Sequence, residues 1–99
     1  MRTNSSGHHW LDLTALGVKS GYSAKRALEE SLGAVFEAPC WDANTAFCRF
    51  TIGSERFLLF ADIWDSVDIH PDSPAAEERL SELQTFFKTH TPPRDTGVQ

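Results

Sequence analysis

The sequence predicts a small α+β domain: a three-stranded antiparallel meander packed against two helices, in the order α-β-β-β-α. Three observations predict it. Two aromatic-rich runs, 46–52 and 55–61, flank the pair Gly53-Ser54. Two stretches, starting near Ser23 and Ser73, repeat apolar residues at helical spacing behind a capping residue. Hydrophobic residues make up 40% of the 99, with seven Phe and three Trp, enough for one core.

In chain order, residues 1–7 are polar and read as a flexible arm before a single domain over 8–91. His8-His9-Trp10-Leu11-Asp12-Leu13 alternates loosely, as a short strand does, while Leu13, Leu16 and Val18 fit a short helix equally well. The first clear helix starts at Ser23, whose hydroxyl can accept from a first-turn amide. Ala24, Ala27, Leu28 and Leu32 form its apolar face, and Gly33 supplies the left-handed residue that ends it. Residues 34–38 form a first strand, stopped by Pro39.

The hairpin carries the strongest local signal. Gly-Ser between apolar runs is the mark of a type II′ turn, with Gly at the first central position. A two-residue turn sets Ile52 opposite Glu55, Phe50 opposite Phe57 and Cys48 opposite Leu59. Ala46, Cys48, Phe50, Ile52, Phe57, Leu59 and Ala61 then share a core face. Phe47, Arg49, Thr51, Arg56, Leu58 and Phe60 share the other. That face is too apolar to be wholly wet and too charged to be wholly buried, so the N-terminal segment or a partner is expected to cover part of it.

Ile63, Trp64 and Val67 sit at helical spacing and suggest a short acidic turn of helix, with a further strand as the alternative. The last helix is capped by Ser73, begins at Pro74, turns Ala76, Leu80, Leu83 and Phe87 inward, and stops at Pro92-Pro93. Residues 92–99 read as a tail. This order is shared with double-stranded RNA-binding domains. The likeness stops at topology, because Glu77 and Glu78 stand where such a domain carries a Lys-rich helix start.

Charge is unevenly placed. The net −5 arises wholly in residues 61–99, which hold eight acids against three bases. With nine bases against fourteen acids in the chain, direct nucleic-acid binding is disfavoured. The polar N-terminus lacks an apolar h-region and no run approaches a membrane span, so a cytoplasmic protein with reduced Cys40 and Cys48 is expected, a disulfide between them being the alternative if they lie on neighbouring strands.

No catalytic residue, metal site or cofactor is assigned. His8, His9, Cys40, Cys48 and His70 lack zinc-site spacing. No nucleophile signature surrounds either cysteine, although Asp68 or Asp72 could orient His70. A Gly-rich phosphate loop is missing. What stands out is the acidic segment, in which Asp62, Asp65, Asp68, Asp72, Glu77, Glu78 and Glu82 run beside Trp64. Asp is a poor helix former, so propensity does not explain its repetition there.

These eight residues are the expected binding ridge, suited to the basic, possibly nucleic-acid-binding, surface of a partner protein. The expected function is a small acidic protein-binding module, an inhibitor or antagonist of the kind that phage anti-defence and immunity proteins exemplify. The alternative is a homo-oligomeric accessory protein, a homodimer pairing through Phe47, Arg49, Arg56, Leu58 and Phe60. A second alternative is a small enzyme using Asp/His chemistry.

Overall fold

The structure, a computed structural model, describes residues 2–3, 7–18, 20–37, 47–61 and 66–89. Its strands are β1 (Arg2–Thr3), β2 (His9–Asp12), β3 (Val35–Phe36), β4 (Phe47–Ile52), β5 (Glu55–Ala61) and β6 (Val67–Pro71). Its helices are α1 (Gly21–Leu32) and α2 (Pro74–Thr89), with one 3₁₀ turn at Thr14–Leu16. The α+β class and both helices agree with the sequence.

The sheet is larger than the expected three strands. Five antiparallel strands run in the order β2-β6-β5-β4-β3, and the two-residue β1 extends the β2 edge. Both added central pairings come from segments whose helical and strand periods compete. In 67–71, Val67 and Ile69 are buried on one side while Asp68 and His70 point to the other. That period of two prevails because it lets Ile69 pack beside Leu59 and Leu11, its partners across the sheet. In 9–12, Leu11 alone points inward, and the helical spacing of Leu13 and Leu16 is absorbed by the 3₁₀ turn.

The expected hairpin register is observed: Ile52 pairs with Glu55, Phe50 with Phe57 and Cys48 with Leu59. Gly53 takes φ 63°, the positive value that the turn needs and that a side chain resists. Cys48, Phe50, Ile52, Phe57 and Leu59 are all buried. Ala61 is half-buried, and Ala46 lies outside the described residues.

Both helices lie on this core side. α2 packs across β2, β6 and β5, and α1 packs on β5. All four residues of the expected α2 stripe, Ala76, Leu80, Leu83 and Phe87, are buried. Three phenylalanines, Phe50, Phe57 and Phe87, are wholly enclosed, and each such ring contributes roughly 1.5–3 kcal/mol of burial. Phe50 stacks between Phe36 and Phe57, at 4.7 and 5.1 Å, which ties the short β3 to the sheet.

Two local expectations are corrected. α1 begins earlier than Ser23: Ser20 is the N-cap, extended at φ −138° and ψ 135°, and its hydroxyl accepts from the amides of Tyr22 (3.1 Å) and Ser23 (3.3 Å). Ser23 is the less favourable cap because Gly21 is already buried inside the first turn. Cys48 is disulfide-bonded rather than a reduced thiol. Sequence spacing does not reveal which sulfurs come within reach. The only other cysteine, Cys40, lies outside the described residues.

The cap assignment has a direct test. Ser20→Ala is expected to cost about 1 kcal/mol in urea unfolding. Ser31→Ala, at an exposed position later in α1, should stay within about 0.5 kcal/mol of wild type, as surface substitutions do.

Candidate functional site

With both helices on one side, strand alternation leaves a second face that no described element covers. Cross-strand register maps it in rows across β2, β6, β5 and β4. One row reads Asp12, Asp68, Phe60, Phe47. The next reads Trp10, His70, Leu58, Arg49. A third continues with Asp72, whose amide donates to the Arg56 carbonyl (2.8 Å), then Arg56 and Thr51.

The Leu13 amide donates to the Val67 carbonyl at 2.8 Å. Hydrogen-bonded pairs therefore fall at 13/67 and 11/69, and Asp12/Asp68 and Trp10/His70 are pairs of the closer, non-hydrogen-bonded type. This explains the contact between Trp10 and His70, whose rings stack 5.1 Å apart and 6° from parallel. Phe60 meets the other side of His70 edge-on at 4.9 Å, and Phe47 lies 5.2 Å from Phe60. Arg49 sits over Phe47 at 5.4 Å. A continuous row of rings thus crosses four strands, each ring half-buried against the next.

Charges flank this row. Asp12 and Asp68 oppose one another on one side. Asp12 also accepts from the Ala15 amide (3.2 Å), and Asp68 from the Ser66 hydroxyl (3.4 Å). On the other side Arg49 pairs with Asp72 at 3.1 Å. The Arg56 guanidinium donates to the Asp72 carbonyl (3.4 Å), its amide donates to the Ser73 hydroxyl (3.4 Å), and no described carboxylate pairs with it.

The expected ridge does not come together as one surface among the described residues. Asp62, Trp64 and Asp65 lie outside them. Asp68 and Asp72 belong to the open sheet face. Glu77, Glu78 and Glu82 are on α2, across the sheet from it. Glu77 accepts from the His9 amide (3.2 Å), and His8 Nδ1 stands 3.4 Å away. Those two contacts hold its carboxyl below the usual carboxylate range. Glu82 is 3.2 Å from Arg79 Nε, an ion-pair contact without hydrogen-bond alignment, while Arg79 bonds Glu55 at 2.8 Å. Glu78 is exposed and points to solvent.

The expected self-association residues do come together: Phe47, Arg49, Arg56, Leu58 and Phe60 all lie on the open face. Sequence reasoning left Trp10 and Asp12 out of the site. The alternation of 8–13 was their signal, and it was ambiguous because the segment is only four residues long as a strand.

His70 makes no hydrogen bond to a described residue and is held between the Trp10 and Phe60 rings. Cys48 lies on the opposite, buried side of the sheet. Among the described residues, no three His, Cys, Asp or Glu stand close enough together to hold a metal ion, and no helix is long and apolar enough to cross a membrane. Comparison with known proteins yields no match: no family model, no curated protein and no solved structure aligns with the chain.

Burial among the rings lowers the His70 pKa from its ordinary value of 6.5. The unfolded chain therefore takes up its proton first as pH falls. The stabilisation that His70 contributes is fully present above pH 6.5 and is lost as pH drops from there through the folded-state value. His70→Phe keeps the ring contacts and removes the proton site. Urea midpoints measured from pH 8 to pH 5 should fall less steeply for this variant than for wild type. Parallel slopes would exclude His70 as the source.

Proposed function

We propose that this chain is a small protein-binding module and that the open sheet face is its binding surface. The observation that carries the reading is the row Trp10, His70, Phe60 and Phe47, which no described element covers. Aromatic side chains of this kind are enriched where interfaces concentrate their energy, and they lose little conformational entropy when they bind. Recognition, rather than catalysis, fits a face on which the one imidazole is held by stacking alone.

The partner that suits the face is a protein with a basic surface. The opposed carboxylates of Asp12 and Asp68, next to the rings, favour an arriving Lys or Arg, which can also lie on an aromatic face. A polyanion is disfavoured, because Arg49 is already paired with Asp72 and the face carries more acid than base. An inhibitor or antagonist that covers a basic surface, as phage anti-defence and immunity proteins do, is the form of this function that the net charge of −5 favours. The expected cytoplasmic location is the part that the Cys48 disulfide opposes, since reducing compartments keep thiols unpaired.

The test compares two doubly substituted baits with wild type. Trp10→Ser with Asp68→Lys alters the open face, and Glu78→Lys with Glu82→Lys alters the outer side of α2. A partner captured by wild type should bind the first bait roughly 100-fold more weakly and the second nearly as well. Its release should advance with salt. Loss on the α2 bait alone would transfer the binding surface to the helix.

A further inference from the structure

Strand β2 is short and buries little of itself. Of its four residues only Leu11 is enclosed, and Asp12 stands opposite Asp68, a pairing of like charges that weakens a sheet. Among the contacts that offset this, one ends on a titratable ring. The Trp10 indole lies on the His70 imidazole at 5.1 Å, and Phe60 meets that imidazole at 4.9 Å. No described group hydrogen-bonds either of its nitrogens. Such packing suits a neutral ring. A proton turns both nitrogens into donors, and the surroundings supply rings where acceptors are then needed.

We infer that His70 makes the seating of β2 sensitive to pH: a proton on the imidazole loosens the Trp10 stack and with it the hold of β2 on β6. The seated indole and the proton oppose one another, and by linkage each weakens the other equally. The charges around the ring divide. Asp68 and Asp72 on the same face of β6, with Asp12 on β2, favour the imidazolium, while Arg56 on β5 and Arg49 on β4 disfavour it. Arg49 also engages Asp72 directly. Burial outweighs this balance, and the His70 pKa lies below its ordinary value.

On the helix side the hold persists. Glu77, which accepts from the His9 amide, is kept below its ordinary 4.5 and stays ionised while His70 takes up its proton. A proton on His8 draws that ring toward Glu77, 3.4 Å away, and His9 is bonded to Thr3 within the same segment. Acid therefore frees the ring side of β2 and leaves its start tethered. On the reading of the open face as a binding surface, this withdraws Trp10 from the site in acid. The device itself stands on the ring contacts, whatever the face binds.

NMR spectra of the whole chain recorded from pH 8 to pH 5 test the coupling. In wild type the Trp10 and Leu11 amide signals should move with the midpoint of the His70 ring protons, while Phe50 and Phe57 keep their folded shifts. Hydrogen-exchange protection at Leu11 should decline by at most tenfold per pH unit, the limit for one proton. His70→Phe should remove that decline. Trp10→Ala should raise the His70 midpoint toward 6.5, a shift that a stack uncoupled from the proton would not produce. An unmoved midpoint in Trp10→Ala overturns the proposal, as do β2 signals that respond alike in wild type and His70→Phe. The two variants alter opposite members of the stack, so either decides if the other fails to fold. The protein-binding reading is tested separately, by the paired baits at pH 8, where His70 is neutral.

Discussion

Both helices lie against the same side of the sheet, and the rest of the molecule follows from that asymmetry. Strand alternation gives every strand two faces, and burying one of them in a single core obliges the other to point outward. Leu11, Ile69, Leu59, Phe57 and Phe50 form one continuous buried layer with residues of α1 and α2. The residues between them in sequence are therefore displayed together on the far side, with no described element to cover them. The open face is thus the complement of the core.

The N-terminal strand widens that face. The sequence leaves open whether the N-terminal segment or a partner covers the half-apolar side of the hairpin. The segment instead lies alongside, as β2 paired to β6, and widens the face by Trp10 and Asp12. Glu77 in the first turn of α2 fastens it through the His9 amide and the nearby His8 ring. The two residues of β1 add to its outer edge. An acid at a helix start is ordinarily a favourable partner of the helix dipole. Here it also tethers the strand that completes the ring row.

The acidic run of 62–82 shows how a one-dimensional feature divides in three dimensions. Asp68 and Asp72 emerge on the open face because β6 alternates, and Glu77, Glu78 and Glu82 emerge on α2, which packs on the opposite side. Pro71 to Ser73 is where the chain passes from sheet to helix, and charges adjacent in sequence part company there. Arg49 and Asp72, 23 positions apart, meet across the sheet instead.

What the sequence by itself determined lies in local chemistry. The Gly53-Ser54 turn dictates the β4–β5 register and hence the company of Phe47, Arg49, Arg56, Leu58 and Phe60, because a two-residue loop permits only one pairing. The inward stripe of α2 and the glycine that ends α1 are equally local. Strands β2 and β6 were not legible in this way. Each is short, each carries apolar residues that also fit a helical period, and each is stabilised by a neighbour far along the chain, Leu11 by Ile69 and Ile69 by Leu59. Only the tertiary structure decided that these segments join one sheet, that Trp10 stacks on His70, and that Asp12 faces Asp68. The physical reason is that burial on a shared core selects the period of two, and burial is a property of the assembled fold.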